Sequence, residues 1–242
     1  MPHSVRLAAG SALLDLSHGG HDAERVDLFL PAGPAAHPLP LHIFLHGGYW
    51  QAMSRKDFAC LARGPNAAGQ AFAIPGYPLC PEVPLREIVA SVHRAFDWLR
   101  RNADELGIDA RDITLSGHSA GGHLVLKIAE LEHRAGGEPH RVIRRLAPVS
   151  GLFELEPIVH TPLNEALGLD ADEARRLSPL YSPVAPGIPL EAWVGGEESA
   201  EFHRQSAALV AHWRAAGNEA AMLEAADRNH FTILDRLYAP DG

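Results

Sequence analysis

The chain has 242 residues, 46% of them hydrophobic and 21% charged, and a formal net charge of -9 at pH 7. That size and balance suit one globular domain spanning residues 1–242. The acidic surplus excludes a nucleic-acid surface, which needs clustered Lys and Arg to neutralise phosphates. No apolar run approaches the roughly 18 residues of a membrane span, the N-terminus lacks the charged and apolar regions of a signal peptide, and Cys60 and Cys80 are too few for a disulfide framework. The expectation is a cytoplasmic protein with reduced thiols, no nucleic-acid or membrane partner, and a small molecule as substrate. A homodimer is left open.

In chain order, short apolar runs alternate with longer amphipathic ones, the pattern of a largely parallel sheet covered by helices. Strands are expected at 26–30, 41–45, 70–74, 113–116, 142–149, 190–194 and near 221–224. Helices are expected at 56–68, 85–101, 120–134 and 201–216, with a short closing helix at 231–238. In the second of these helices, Leu85, Ile88, Val89, Val92, Phe96 and Leu99 recur at helical spacing. Segment 151–181 breaks the alternation and reads as a partly helical insertion near the strand ends, where open α/β sheets bind ligands. There it would act as a lid or cap.

The strongest chemical signal is Gly117-His118-Ser119-Ala120-Gly121, preceded by the β-branched, apolar run Ile113-Thr114-Leu115 and followed by an amphipathic helix. G-x-S-x-G between a strand and a helix is a nucleophile turn, in which small flanking residues let the backbones pass and the serine meets the helix N-terminus. The pattern alone is short enough to arise by chance in a chain with 22 glycines. Its flanking strand and helix are what give it weight. Upstream, the run LHIFL leads into His46-Gly47-Gly48-Tyr49-Trp50, a strand ending in His-Gly-Gly where this fold builds half of an oxyanion hole. The donors would be the N–H groups of Gly48, with Gly47 or Tyr49 beside it, and of Ala120. Together these motifs predict an α/β-hydrolase fold, a mostly parallel sheet flanked by helices.

In that fold the acid and then the base follow the nucleophile along the chain. Of the later histidines, His203 and His212 fall within a helix whose buried face is Phe202, Leu209 and Trp213, which turns them toward solvent. His230 falls in the loop before the closing helix and is the expected base. The acid is expected after the 190–194 strand, where Glu197, Glu198 and Glu201 are all candidates and register does not choose among them. Two histidine pairs, His18 with His21 and His42 with His46, lack a third ligand at zinc-site spacing, so no metal and no other cofactor is expected.

With these residues in place the chain resembles the arylformamidase (kynurenine formamidase) family. The resemblance runs from Val26 onward and rests on HGGYW at 46–50, GHSAG at 117–121, SGLFELEPIV at 150–159, EFHRQS at 201–206 and NHF at 229–231. It implies Ser119 as nucleophile, His230 as base and Glu198 as acid, at a position where the family usually has Asp. Asn229 likewise stands where the family usually has Asp. It also implies hydrolysis of N-formylkynurenine to kynurenine and formate, with Tyr49, Trp50 and Phe153 lining the site. The alternative within the same chemistry is a carboxylesterase acting on small aryl or short-chain esters.

Overall fold

The computed structural model describes residues 10–33 and 38–239. Its strands are β1 (Ala12–Ser17), β2 (Arg25–Phe29), β3 (Leu39–Leu45), β4 (Ala71–Pro75), β5 (Ile108–His118), β6 (Ile143–Val149), β7 (Leu190–Gly195) and β8 (Ala220–Ala225). They form one sheet in the order β1-β2-β4-β3-β5-β6-β7-β8. β2 pairs antiparallel with β1 and β4, and from β4 to β8 every neighbouring pair is parallel. The helices are α1 (Arg63–Ala67), α2 (Leu85–Arg101), α3 (Ala103–Leu106), α4 (Ala120–Arg134), α5 (Asn164–Leu167), α6 (Ala171–Leu177), α7 (Ala200–Ala215) and α8 (Thr232–Leu237).

Strand periodicity divides the apolar side chains between two cores. Along β3, Leu41, Ile43 and Leu45 join the larger cluster, together with the buried faces of α2 and α4. Phe44 points to the other side, where it packs with Phe58, Phe72, Ile233, Leu234 and Tyr238. Helix α2 buries the spaced residues that predicted it: Leu85, Ile88, Val89, Val92, Phe96 and Leu99. Among the described residues no helix is long and apolar enough to cross a membrane. Cys60 is exposed, Cys80 is buried, and both are free thiols.

Besides the short α3 and a longer β5, two elements depart from the sequence expectation. Strand β1 was not foreseen. It is an edge strand whose register slips between Leu13 and Leu16, and Asp15 there takes a positive φ of 59°. The extra residue of this bulge makes Leu13 and Leu16, three positions apart, the half-buried residues while Leu14 is exposed, which breaks the alternation a strand would otherwise show. The expected helix at 56–68 is instead a 3₁₀ turn at Arg55–Ala62 followed by the short α1. Pro65 has no N–H to continue a helical ladder, and the adjoining Gly64 backs onto the chain end, where a Cβ would lie 2.6 Å from the Tyr238 carbonyl oxygen. Segment 151–181 holds 3₁₀ turns at Glu156–His160 and Pro179–Tyr181 besides α5 and α6.

The closest approach of backbones lies where α4 leaves β5. A Cβ on Gly121 would fall 1.9 Å from the carbonyl oxygen of Leu45 on the neighbouring strand. Gly121→Ala is therefore expected to lower stability by at least ~1–3 kcal/mol, the usual cost of overpacking. The control Gly20→Ala, whose added methyl meets nothing within 4 Å, should change it by less than about 0.5 kcal/mol. Urea titration of the two variants beside the parent protein reads this out. Equal midpoints would contradict the packing argument.

Candidate active site

Because β3, β5, β6, β7 and β8 are mutually parallel neighbours, their C-terminal ends open on one edge of the sheet. The registers Leu45 with Gly117, His118 with Val149, and Gly195 with Ala225 align those ends. The loops leaving them carry His46–Trp50, Ser119, Ser150, Glu198 and His230.

Ser119 is the pivot between β5 and α4. It sits at φ 54° and ψ -118°, a conformation non-glycine residues adopt only when the surroundings enforce it. The enforcement is visible in hydrogen bonds: the Ser119 amide donates to the Val149 carbonyl at 2.8 Å, and the Ser119 carbonyl accepts from Gly122 N at 2.9 Å. The residue is 2% exposed. The Ala120 amide opens the first turn of α4, where helical geometry provides no carbonyl for it.

The loop after β3 turns just as tightly. Gly48 has φ 109°, and a Cβ there would lie 2.1 Å from the Ala52 carbonyl oxygen, so only glycine fits. Gln51 N and Ala52 N both donate to the Gly48 carbonyl, at 2.9 and 3.0 Å. Gly47 backs onto the serine: a Cβ built on it would sit 3.1 Å from Ser119 Cβ. Buried His46 stacks on Tyr77 with ring centroids 4.1 Å apart, and its Nδ1 donates to the Gly47 carbonyl at 2.8 Å. In a trans peptide the C=O and N–H point in opposite directions. Fixing the Gly47 carbonyl toward His46 therefore turns the Gly48 N–H away from that ring. Among the described residues, the amides of Gly48, Tyr49 and Ala120 donate to no protein acceptor.

Glu198 and His230 form a pair. His230 Nδ1 donates to Glu198 Oε2 at 2.7 Å, and the Glu198 side chain is only 1% exposed. Burial raises the glutamate's pKa most strongly of any single influence. The donors His230, Ser150 and Gly195 together outweigh it and hold the carboxyl below its usual range. With Nδ1 occupied, the imidazole keeps Nε2 as its free nitrogen. The ring lies between Phe202, at 4.8 Å, and His118, at 4.6 Å, with Phe231 edge-on at 5.3 Å. His118 Nε2 donates to the backbone carbonyl of His230 at 2.7 Å, tying the His230 loop to the residue next to Ser119. Ser119 Oγ makes no hydrogen bond to His230 among the described residues. Asn229 Oδ1 accepts from the amides of Phe231 and Thr232, both at 3.0 Å.

A cleft of about 250 Å³ meets this pair through Phe202, which packs on His230 and lines the cleft with Tyr49, Leu152, Ile158 and Leu163, Glu154 and Glu201 being among its polar groups. Segment 151–181 supplies much of its wall, and Gln51 Nε2 pins that segment to the β3 loop through the Leu163 carbonyl at 2.8 Å. Of the three aromatics expected to line the site, Tyr49 lines this cleft, but Trp50 and Phe153 do not. Both are 0% exposed. Trp50 turns back at φ 58° to meet His123 edge-on at 5.1 Å. Phe153 folds against its own turn, close enough that a Cβ on Gly151 would strike its ring at 2.5 Å. Leu152 and Phe202 take their places. Both stand within motifs that carried the family resemblance, Leu152 in SGLFELEPIV and Phe202 in EFHRQS, but Phe202 was read as part of a buried helix face and Leu152 was not singled out. Nor do His203 and His212 face solvent freely. His212 Nε2 donates to the Ser182 carbonyl at 3.0 Å, and His203 Nδ1 lies 3.7 Å from Glu224.

The histidine pairs weighed for a metal point elsewhere. His18 bonds the Gly76 carbonyl, His21 meets Glu82, and His42 meets the Ser116 hydroxyl. Among the described residues one trio of candidate ligands lies close together: His93 and Asp97 of α2 and Glu132 of α4. His93 is already hydrogen-bonded to Glu132, and Arg100 pairs with both carboxylates. The trio is thus a salt-bridge cluster with its cation in place.

Burial holds His46 and His118 at about 4, and His42 and His123 at about 3, so all four are neutral in the folded state near neutral pH. Unfolded, they bind protons near 6.5. Between these values the unfolded chain holds more protons. Stability is therefore full above about pH 6.5 and falls progressively as the pH drops toward 4. The urea midpoint at pH 5.0 is expected to lie well below that at pH 7.5. An unchanged midpoint would contradict the neutral-histidine assignment.

Comparison with known proteins agrees with this geometry. A family profile described as alpha/beta hydrolase fold matches residues 42–234. The kynurenine formamidase of Danio rerio is 26% identical over 230 residues, covering 93% of this chain and 76% of its own. That of Drosophila melanogaster is 26% identical over 232 residues, covering 92% and 76%. A crystal structure from Silicibacter sp., provisionally described as a thioesterase, superposes with a TM-score of 0.83 at 34% identity, covering 96% of this chain and 82% of that one. A match over most of the sheet, on a chain with this strand order and this serine turn, identifies the protein as a hydrolase belonging to the α/β-hydrolase family.

Proposed function

We propose that the protein hydrolyses an aryl formamide, with N-formylkynurenine as the best-fitting substrate, through a formyl-enzyme on Ser119. The observation that carries the chemistry is the buried Glu198–His230 hydrogen bond of 2.7 Å at the strand ends beside the Ser119 turn. The formamide preference is supported by resemblance over 92–93% of the chain to proteins named kynurenine formamidase.

In this reading Ser119 Oγ attacks the formyl carbon while His230 Nε2 takes its proton, a contact that tightens when substrate fills the site. Glu198 stabilises the resulting imidazolium and keeps the productive tautomer. The N–H groups of Gly48, Tyr49 and Ala120 receive the oxyanion, Gly47 giving the loop its close approach to Ser119. Collapse of the tetrahedral intermediate breaks the C–N bond, and His230 returns the proton to the departing aryl amine. Water, deprotonated by His230, then attacks the formyl ester and releases formate and free Ser119. Every step uses protein groups and water alone.

The cleft beside His230 suits the leaving group. Tyr49, Leu152 and Phe202 would flank an aromatic ring. Glu154 and Glu201 stand in the cleft's lining, both paired with Arg204. A second reading, an esterase acting on small aryl or short-chain esters, is favoured by one observation: carboxylesterase NlhH of Mycobacterium tuberculosis is 33% identical, though over only 102 residues.

Steady-state hydrolysis of N-formylkynurenine beside a p-nitrophenyl short-chain ester tests the assignment. The expected result is kcat/KM above roughly 10⁴ M⁻¹s⁻¹ on the formamide, lost in Ser119→Ala. Cleavage of the ester alone would leave the serine chemistry standing and overturn the substrate.

A further inference from the structure

Ser150 is fully buried immediately after β6, and the reaction above does not use it. It is one of the few non-glycine residues with positive φ, at 49°, and that turn aims its hydroxyl at the acid. Ser150 Oγ donates to Glu198 Oε1 at 2.5 Å, and the Gly195 amide donates to the same oxygen at 2.7 Å. Oε1 is thereby occupied, and Oε2 is the oxygen left for His230.

The loop carrying Ser150 is itself clamped. Gln205 of α7 accepts from the amides of Phe153 and Glu154 at 2.6 and 2.9 Å and donates back to the Glu154 carbonyl at 3.3 Å. Ser178 Oγ accepts from Leu155 N at 2.8 Å. The SGLFEL and EFHRQS segments, separated by about fifty residues, are thus joined in one hydrogen-bonded unit whose tip is the Ser150 hydroxyl.

We propose that Ser150 is a positioning residue for hydrolysis: its hydroxyl, held in place by the Gln205-clamped loop, locks the Glu198 carboxylate so that a single oxygen faces His230. The inference rests on the Ser119–His230–Glu198 reading and deepens it. A glutamate has one more rotatable bond than an aspartate, hence more orientations to lose. A second charge-assisted donor removes that freedom. The same bond favours the ionised carboxylate. Among the described residues the titratable groups facing Glu198 are His230, on the loop before α8, and His118, at the end of β5; Ser150 and the Gly195 amide are neutral. Removing the Ser150 donor leaves fewer groups holding the carboxyl down, so Glu198 takes up its proton at a higher pH.

The test is hydrolysis of p-nitrophenyl acetate from pH 5 to 9 by wild type, Ser150→Ala, Ser150→Gly and Ser119→Ala. Glycine adopts the positive φ without strain, so the Gly variant keeps the turn while losing the hydroxyl, and circular dichroism verifies its fold. Both Ser150 variants are expected to lose about 10- to 100-fold in kcat with KM changed less than about twofold, and the acid limb of the rate profile should move to higher pH. A Ser150→Gly enzyme with wild-type kcat and limb would overturn the proposal. So would one whose kcat falls with the limb unmoved, the mark of a merely structural role. If Ser119→Ala still cleaves the ester, the underlying triad reading fails first, and this inference fails with it.

Discussion

Glu198 carries a negative charge on a side chain that is 1% exposed, and an unpaired carboxylate in that position would be too costly to keep ionised. The strand ends are arranged around avoiding that cost. β6 contributes the Ser150 hydroxyl, β7 the Gly195 amide, and the loop after β8 the His230 imidazole. Each donor comes from a different strand end, so the carboxylate also records whether the parallel sheet is in register. A slip of β7 against β8 would separate Gly195 from Ala225 and pull Glu198 from His230.

Backbone strain concentrates on the same edge. Of the non-glycine residues with positive φ among those described, Tyr49, Trp50, Met53, Ser119 and Ser150 all lie on loops leaving β3, β5 and β6; only Asp15 does not. Such conformations cost on the order of 1–3 kcal/mol each, and buried packing on both faces of the sheet offsets them. The strain has a product: it leaves the Gly48, Tyr49 and Ala120 amides without protein acceptors beside Ser119. His46 and His118 serve this arrangement as neutral, buried donors to backbone carbonyls.

Much of this was readable in the sequence because the chemistry needs small residues in tight places. GHSAG and HGGYW mark turns where backbones pass each other, and the Leu45–Gly121 approach gives the physical reason. Helix α2 was legible from its apolar spacing; α4 was expected as an amphipathic helix but is buried without a break from Ala120 to Glu130. His230 was legible as the histidine that falls in a loop after the last strand. Glu198 was not separable from Glu197 and Glu201 by spacing, since what distinguishes it is its inward turn between Ser150 and Gly195, contacts made across the sheet. Trp50 and Phe153 were misplaced for a related reason: an aromatic beside a catalytic motif can line the site or underpin it, and only the direction of the loop decides. Strand β1 was hidden by its bulge, and Ser150 by the fact that its partner lies 48 residues away.

In the proposed mechanism Ser119 is a nucleophile activated by the His230–Glu198 pair. Treating the folded protein with a fluorophosphonate and mapping the adduct by mass spectrometry tests it most directly. The expected result is one stoichiometric adduct, on Ser119, formed far more slowly in His230→Ala. An unmodified Ser119, or labelling that proceeds equally fast without His230, would contradict it.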